Sequence, residues 1–445
     1  MPPSATPVGL SDLAASLAAV RSARAADAFA TDLAAMTGSP SLQLTASGRA
    51  AFFLILEACK RQRPGRDEVA LPAYTCPVLA YAAQAAGLRV RLVDMEPQTL
   101  DYDRAALDRA IGPQTLAVVS VHPLGLPRPL DDVRARAHAA GAFFVDDAAQ
   151  AFGAKLTLPP KPDLSEEPDS SIRSQTGDSL SADRSLSHSA FSIQNSSFLG
   201  ALGDAGLLSF GPGKALSTGG GGAALFNDPA LAAAAAEIIA AWPRPRAATQ
   251  LLAWARMAVL AVAFHPRGWW WVARLGLNAA GDDPRTWHFV RRPLSAPAAA
   301  LGARLLPRLA GWNAQRRAHA QHLLANLPAA AGLTPIAPMA GAPPIYVRLP
   351  LLARDHAQRE ELVARLRRAG IGAGRLYGHT LADILRRLPS SGSTAALSQA
   401  AGTAADFPGA TEMARRLLTL PTHPYVQEKD LEVMLSVLHT AVDGY

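Results

Sequence analysis

The stretch "TLAVVSVHPLGLPRPLDDVRARAHAAGAFFVDDAAQ", residues 115–150, holds two apolar runs separated by a charged segment. "TLAVVSVHP" and "AFFVDDAAQ" are typical of buried strands, and "PLDDVRARAHAAG" between them predicts a helix. A strand, a helix and a strand in this order indicate a βαβ unit with parallel strands. Ligands of such sheets bind at the carboxyl ends of the strands, where Asp146, Asp147 and Gln150 fall.

The same alternation continues on both sides of this unit. "DEVALPAYT" and "LRVRLVDM" predict strands, and "AAFFLILEACKRQ", "PVLAYAAQAAG" and "RAALDRAIG" predict helices. The strand pattern resumes at "GDAGLLSFGPGK" and "GGAALFND". The sequence therefore predicts an α/β protein with a mainly parallel sheet.

The chain divides into three segments by composition, the first of which contains an insertion. Residues 1–240 form the predicted large domain, and within it residues 156–198 are rich in Ser, Pro and Asp. This insertion is either disordered or a lid. Residues 241–294 are a Trp- and Arg-rich insertion or connector, and residues 295–445 hold a long helical segment and a small α+β domain, with "PPIYVRLP" as a strand.

Charge and cysteine content limit the function classes. The 445 residues carry a net charge of +7, which suits anionic ligands. The arginines are dispersed without a basic run or a DNA-binding motif, so a nucleic-acid partner is not expected. The two cysteines, Cys59 and Cys76, give neither a disulfide framework nor metal-ligand spacing, which favours a cytoplasmic protein without a metal. The N-terminal sequence has no uninterrupted apolar core, so no signal peptide is expected.

Lys214 lies in an unusual context, "SFGPGKALSTGGGG". The chain has only five lysines, and this one alone has Gly-rich neighbours. A lysine amine can become a nucleophile, which an arginine cannot, and a glycine-rich loop lets backbone N–H groups surround a phosphate. The combination favours a phosphate-bearing cofactor joined to an amine. A surface lysine after a strand is the alternative.

Several motifs together resemble one enzyme family. "TASGRAAFFLIL", "DEVALPAYT", "LVDMEPQTLDYD", "VHPLGLPRPLDD", "FVDDAAQAFGA", "GDAGLLSFGPGKALSTGGGGA" and "LLTLPTHPYV" occur in the order of the DegT/DnrJ/EryC1/StrS family. These are pyridoxal-phosphate (PLP) aminotransferases of fold type I that act mostly on nucleotide-linked keto-sugars. The resemblance implies a large domain with a mainly parallel, seven-stranded-type sheet flanked by helices, a small C-terminal α+β domain, and a homodimer with shared active sites.

The resemblance also implies roles for individual residues. Lys214 would join PLP covalently and move the proton during the reaction. Asp147 would pair with the pyridine nitrogen, and Gln150 would hydrogen-bond the ring hydroxyl or a neighbouring group. Asp146, one residue earlier on the strand, would point to the other face.

The phosphate of the cofactor is expected at the start of the helix in "TASGRAAFF". There the backbone N–H groups of Gly48, Arg49 and Ala50 have no partner inside the helix, because a helix leaves its first donors unpaired. Ser209 would add a hydroxyl. An ordinary helix cap at this position is the alternative.

The sequence departs from the family at the cofactor ring and at one loop. Cys76 stands where the family often stacks an aromatic residue on the ring, and Tyr74 would point away if this segment is a strand. The loop that often reaches the neighbouring subunit's cofactor phosphate is here "FVRRPLS", in which Arg291 or Arg292 would supply the contact.

The implied reaction is amino transfer from glutamate, or glutamine, to a nucleotide-linked keto-sugar for surface-polysaccharide or secondary-metabolite synthesis. A PLP-binding dehydratase or regulatory relative is one alternative. The dehydratase branch of the family replaces the lysine with histidine, so Lys214 favours transamination. A membrane-associated pathway partner with degenerate chemistry is the other alternative. "AGRLYGHTL", residues 373–381, is a candidate sugar-binding loop.

The family does not explain "ATQLLAWARMAVLAVAFHPRGWWWVARLGL", residues 248–277. Six of the seven tryptophans lie between Trp242 and Trp287, among many arginines. The apolar run from Met257 to Phe264 is too short to span a bilayer, which takes about 20 residues. Two readings stay open: an interfacial helix on anionic lipid, which would place the protein at the inner face of the membrane, or a domain or dimer interface.

Overall fold

A computed structural model describes residues 1–22, 24–156, 198–274, 289–388 and 402–440. The predicted insertion at residues 156–198 lies outside the described residues except for its two ends. Those ends meet, because Lys155 and Phe198 pair as an antiparallel bridge. The Lys155 ammonium also lies 4.3 Å from the centroid of the Phe198 ring.

A seven-stranded sheet in the order β1-β9-β8-β7-β6-β2-β3 organises the large part of the chain. Strand β9 pairs antiparallel with both β1 and β8, and the pairs from β8 through β7, β6 and β2 to β3 are parallel. The predicted α/β class with a mainly parallel sheet is confirmed. The strands are β1 Ser41–Thr45, β2 Glu68–Pro72, β3 Arg89–Val93, β4 Met95–Glu96, β5 Asp101–Tyr102, β6 Thr115–Val121, β7 Phe143–Asp147, β8 Ala205–Ser209, β9 Gly222–Phe226, β10 Thr334–Pro335, β11 Arg348–Leu352 and β12 Leu417–Pro421.

Helices cover both faces of this sheet. One face packs against α3, α4 and α7, and the other packs against α2, α6 and α10. The helices within the described residues are α1 Leu10–Ala18, α2 Ala25–Thr37, α3 Gly48–Gln62, α4 Pro77–Ala85, α5 Arg104–Ala110, α6 Asp131–Ala139, α7 Pro229–Ala240, α8 Ala247–Ala263, α9 Pro266–Arg274, α10 Ala296–Leu305, α11 Leu309–Ala325, α12 His356–Arg368, α13 Leu381–Arg386, α14 Pro408–Arg416 and α15 Glu428–Thr440.

Helix α3 illustrates why the two layers join firmly. Its segment "AAFFLIL" is apolar all round, and the side chains from Ala50 to Leu56 are buried. A helix that is apolar on every side belongs between layers rather than on the surface. It packs against β9 and β8 on one side and against α7 and α4 on the other. Its N-terminus is thereby held beside the ends of these strands.

The C-terminal part contains a separate three-stranded antiparallel sheet, β10-β11-β12, with its own apolar core. The strand predicted in "PPIYVRLP" starts later than expected: β11 begins at Arg348. Tyr346 has φ of 47°, a left-handed backbone conformation that extended strands exclude. The long helical segment predicted from residue 295 is two helices, α10 and α11, joined by a 3₁₀ turn at Leu306–Arg308 that contains Pro307.

Candidate active site

A cleft opens at the carboxyl edge of the large sheet. Segments that follow β2, β6, β7 and β8 form one wall, and a loop of the C-terminal part forms the other. Lining residues are Tyr74, Thr75, Cys76, Val121, His122, Pro123, Asp147, Ala149, Gln150, Lys214, Leu376 and Tyr377. The structure therefore brings four of the predicted site residues, Cys76, Asp147, Gln150 and Lys214, into one cavity.

Lys214 lies in the loop between β8 and β9. The loop is closed at its base, because the Phe210 N–H donates to the Gly221 carbonyl at 2.9 Å and the Thr218 N–H donates to the Phe210 carbonyl at 3.0 Å. Gly213 has φ of 81°, which a residue with a side chain rarely adopts. The glycine thus turns the chain so that Lys214 enters the cleft.

A buried arginine holds the other side of this loop. The Arg316 guanidinium on α11 donates to the carbonyl of Ala215 at 2.8 Å and to Asn313 Oδ1 at 2.7 Å. Burial lowers the pKa of Arg316 to about 9. Arg316 fixes the backbone directly after Lys214 and so limits where the lysine amine can lie.

Asp147 is a buried carboxylate at the end of β7. Its Oδ1 accepts the N–H of Ala149 at 2.8 Å. Burial raises the pKa of Asp147 to about 6, although this hydrogen bond and the nearby charge of Lys214 oppose the shift. The raised pKa shows that the surrounding groups do not fully stabilise the ionised carboxylate. A cationic ligand in the cleft would stabilise it.

Asp146 points to the opposite face of the strand, as strand geometry requires. His122 Nε2 lies 2.9 Å from its Oδ1, and the N–H groups of Gly200 and Leu202 donate to its Oδ2 at 2.6 Å and 3.1 Å. His122 Nδ1 accepts the N–H of Arg128 at 3.0 Å, so Nε2 carries the ring proton and donates to Asp146. The two aspartates therefore have different surroundings: Asp146 is fully paired within the protein and Asp147 faces the cleft.

Gln150 is held at both ends of its amide. The Leu124 N–H donates to Oε1 at 2.8 Å, and Nε2 donates to the Tyr377 hydroxyl at 3.1 Å. Because a backbone N–H can only donate, the atom that it meets must be the oxygen, and this contact fixes the orientation of the amide. Gln150 consequently has one N–H left to offer to a ligand in the cleft.

Tyr74 lies on the cleft wall, contrary to the prediction that it would point away. Strand β2 ends at Pro72, so the alternation expected of a strand does not extend to this residue. The Tyr74 hydroxyl donates to the carbonyl of Tyr377 at 2.9 Å and accepts its N–H at 3.0 Å. The rings of the two tyrosines lie 5.4 Å apart, edge to face. Tyr74 thus ties the C-terminal loop to the sheet.

The predicted phosphate donors lie at the start of α3. Ser47 caps this helix, and its hydroxyl accepts the Ala50 N–H at 3.2 Å, so that donor is already used. Gly48 packs directly on Ser209: a Cβ at Gly48 would lie 2.9 Å from the Ser209 hydroxyl. The absence of a side chain at Gly48 is therefore what lets the helix N-terminus and Ser209 approach each other.

Three arginines lie near the start of α3, one in the helix itself and two in the "FVRRPLS" loop. Arg49, in the first turn of α3, is half-buried, and desolvation lowers its pKa. The Arg291 guanidinium lies 4.3 Å above the Phe53 ring of the same chain. The carbonyl of Arg292 accepts the Ala46 N–H at 2.9 Å, so the "FVRRPLS" loop runs beside the start of α3.

The profile of the DegT/DnrJ/EryC1/StrS aminotransferase family matches residues 12–251 and 273–438. The chain belongs to this family. The match covers nearly all of the sequence on both sides of the cleft, and it confirms the family that the motifs indicated. The lysine and the aspartate that the motifs indicated, Lys214 and Asp147, both line the cleft.

Individual relatives are similar over shorter stretches. An L-glutamine:2-deoxy-scyllo-inosose aminotransferase from Streptoalloteichus tenebrarius is 32% identical over 46% of this chain and 39% of its own length. A UDP-N-acetyl-3-dehydro-alpha-D-glucosamine 3-aminotransferase from Acidithiobacillus ferrooxidans is 33% identical over 29% of this chain and 34% of its own length. The alignments thus span well under half of each curated relative.

The fold is also that of solved family structures. GDP-4-keto-6-deoxy-D-mannose-3-dehydratase from E. coli, solved with bound hydrated PLP, superimposes with a TM-score of 0.69 at 17% identity and covers 98% of both chains. This likeness confirms the predicted fold type. The cofactor of the family is PLP, as predicted.

The residues of the cleft fit this cofactor by their chemistry. Lys214 offers an amine for the aldehyde, and the buried Asp147 carboxylate offers a negative charge for the pyridine nitrogen. Gln150 offers an N–H for the ring hydroxyl. Because Gly48 has no side chain, the N-terminus of α3 lies close to the Ser209 hydroxyl. Both groups could bind the phosphate.

Tyr377 is a cleft residue that the sequence analysis did not single out. It lies in the loop proposed for sugar binding, but no local pattern marked this tyrosine as a partner of Gln150, which is 227 residues away along the chain. Burial, together with the neighbouring Cys76 side chain, raises the pKa of Tyr377 well above the usual value of 10. An aromatic residue from the C-terminal part therefore lines the same cleft as Cys76, the residue that stands in place of the family's aromatic residue.

We expect Tyr377→Phe to lower kcat about five- to tenfold, the worth of one hydrogen bond near the reacting centre. The substitution keeps the ring and removes the acceptor of the Gln150 Nε2–H group. Steady-state kinetics and the Kd for PLP measure the effect. Tyr425→Phe, a half-buried tyrosine outside the cleft, is the matched control and should retain full kcat. An unchanged kcat and Kd in Tyr377→Phe would contradict the role given to this hydroxyl.

Proposed function

We propose that this protein transfers an amino group from glutamate or glutamine to a keto-sugar, with PLP as its cofactor. The observation that carries the proposal is the meeting of the Lys214 amine, the Asp147 carboxylate and the Gln150 amide in one cleft. The overall exchange balances: the donor becomes its 2-oxo acid, and the carbonyl of the sugar becomes an amine.

Lys214 serves as the base and acid of the reaction. When bound, PLP supplies an electron sink for the carbon that loses its proton. The Lys214 amine takes the proton from the carbon that carries the amino group of the donor, and it returns a proton to the carbonyl carbon of the sugar in the reverse half. General acid–base transfer needs the amine within hydrogen-bond reach, and the closed loop and Arg316 keep it in the cleft.

Asp147 would hold positive charge at the ring nitrogen of the cofactor. Its carboxylate is buried and has a raised pKa, so a cationic partner would stabilise it, and the carboxylate would in turn keep a proton on that nitrogen. Gln150 would hold the cofactor ring through its remaining N–H. Asp147 and Gln150 together would restrain the ring within the cleft that Lys214 lines.

The keto-sugar is proposed to be linked to a nucleotide. The family's relatives include an enzyme named for a UDP-linked 3-keto sugar, and another named for a carbocyclic inosose and glutamine. The net charge of +7 supports the anionic, nucleotide-linked class. We also propose a homodimer in which the "FVRRPLS" loop lies at the shared site, and a role in surface-polysaccharide or secondary-metabolite synthesis.

Isotope transfer tests the proposal. The purified holoenzyme is given ¹⁵N-labelled glutamate or glutamine with a UDP-linked 3-keto sugar, GDP-4-keto-6-deoxymannose or 2-deoxy-scyllo-inosose, and products are read by mass spectrometry. Transfer of ¹⁵N to a nucleotide-linked acceptor is the expected result. Transfer to the inosose alone would overturn the nucleotide-linked class. Loss of water from the GDP sugar without ¹⁵N transfer would overturn transamination in favour of a dehydratase.

A further inference from the structure

The α8–α9 hairpin, residues 247–274, is an addition to the family pattern. The family profile matches residues 12–251 and 273–438, so it omits residues 252–272, which make up most of this hairpin. The shared chemistry of the family therefore does not depend on these two helices. The surface of residues 252–272 therefore lies outside the part of the chain that the family profile matches.

The inner face of α8 is anchored on the rest of the protein. The Trp254 indole N–H donates to the Leu13 carbonyl at 2.9 Å, and Gln250 Oε1 accepts the Ala296 N–H at 2.9 Å. Met257 is buried, and a Cβ at Gly219 would lie 3.1 Å from its Cα. The hairpin thus packs on the Gly-rich loop that carries Lys214.

The outer face of the hairpin is apolar and open to solvent. The exposed fractions are 72% for Leu252, 66% for Val259, 64% for Val262, 51% for Leu251 and 60% for Trp271. A surface helix of a globular protein normally turns charged and polar residues outward. Contiguous exposed apolar side chains mark a surface that another body covers.

Arginines accompany these apolar residues along the described part of the hairpin sequence. Residues 238–274 contain five arginines and neither Asp nor Glu. All five are exposed: Arg244, Arg246, Arg256, Arg267 and Arg274. In a two-fold contact between copies, the same patch meets itself, so these arginines would face one another and repel. An anionic lipid surface instead supplies the opposite charge.

We propose that the outer face of the α8–α9 hairpin docks on an anionic lipid bilayer. Leu252, Val259 and Val262 enter the boundary between headgroups and acyl chains, Trp271 lies at the headgroup level, and the arginines contact lipid phosphates. No helix in the described ranges has the length and hydropathy needed to cross a bilayer. The hairpin therefore lies on the surface of the membrane, close to the Lys214 loop.

Flotation with vesicles tests this surface. The holoenzyme is mixed at low salt with vesicles of phosphatidylglycerol and phosphatidylcholine, or of phosphatidylcholine alone, and the bound fraction is measured after flotation. We expect binding to the anionic vesicles at least about tenfold stronger than to neutral ones, and its loss in high salt. Absence of binding to anionic vesicles, or equal binding to both kinds, would overturn the proposal.

Two sets of variants locate the contact. Leu252→Ser with Val259→Ser should abolish flotation, whereas Val433→Ser, an exposed apolar residue of α15, should not change it. Arg256→Gln with Arg267→Gln should weaken binding and flatten its salt dependence, with Arg368→Gln on α12 as the matched control. Size-exclusion chromatography of each variant gives the oligomeric state. A dimer that dissociates in the Leu252→Ser/Val259→Ser variant would show that a second copy covers this face, and would overturn the proposal.

Discussion

Lys214→Ala is expected to abolish turnover, with kcat reduced by more than about 10⁴-fold. The variant loses the amine that moves the proton, which alone contributes up to about 10⁴-fold, and it also loses the covalent attachment of PLP. The cofactor should still bind, because the start of α3 and Ser209 are untouched. Steady-state assays and the visible spectrum of the bound cofactor measure the two effects separately.

Chemical trapping gives an independent check on the same residue. Borohydride treatment of the wild-type protein should leave the pyridoxyl group on the peptide that contains Lys214. Lys214→Arg should be as inactive as Lys214→Ala, because a guanidinium keeps the charge but is not a nucleophile. Lys155→Ala, whose ammonium lies over Phe198, is the control and should remain active. A wild-type protein that is labelled at another lysine, or that does not bind PLP, would contradict the proposed function.

The parts of the fold that local patterns determine were predictable from the sequence. Strands β6 and β7 and helix α6 between them follow directly from the alternation of apolar and charged runs in residues 115–150. The opposite orientation of Asp146 and Asp147 also follows, because successive side chains of a strand point to opposite faces. Strand β11 was misplaced because a single positive φ, at Tyr346, interrupts an apolar run that reads as continuous.

Contacts between distant parts of the chain were not predictable from one sequence. Tyr377 reaches Gln150, and Arg316 reaches the Ala215 carbonyl, only because the C-terminal part and α11 fold back onto the carboxyl edge of the large sheet. Nothing near residue 316 in the sequence distinguishes this arginine from the many surface arginines of the chain. The hydrogen bonds of Arg316 to the Ala215 carbonyl and to Asn313 depend on the folded arrangement of α11 and the Lys214 loop.

Asp147→Asn is expected to lower kcat by about 10³-fold, the size typical for losing one preorganised charge at a reacting centre. Asparagine fills nearly the same volume, and its oxygen can still accept the Ala149 N–H. The neutral amide, however, cannot hold a proton at the ring nitrogen, so the ring loses much of its capacity to accept electrons. Steady-state kinetics measure this loss, and a variant with nearly wild-type kcat would contradict the role of Asp147.

The same substitution should stabilise the protein when PLP is absent. Burial raises the pKa of Asp147 from 3.8 to about 6, so the folded state binds the proton more tightly than the unfolded state does. Stability therefore falls as pH rises from about 4 to about 6, and above this window the ionised carboxylate costs about 3 kcal/mol. Asp147→Asn removes that cost. Denaturant unfolding of the cofactor-free variant should show a gain of that order at pH 8 and almost none at pH 4.

Asp146→Asn should show the opposite combination. Its carboxylate accepts two backbone N–H groups and the His122 ring N–H, so an amide at this position must turn its NH₂ towards another donor. An unsatisfied buried donor costs about 1–3 kcal/mol, and the free energy of unfolding should fall by that amount. Because Asp146 faces away from the cleft, kcat should fall much less than in Asp147→Asn. Equal effects of the two substitutions on kcat would show that the assignment of the two carboxylates is wrong. We expect the substitution at position 146 to lower stability and the substitution at position 147 to lower kcat. This result would distinguish the aspartate that stabilises the sheet edge from the one that serves the cofactor.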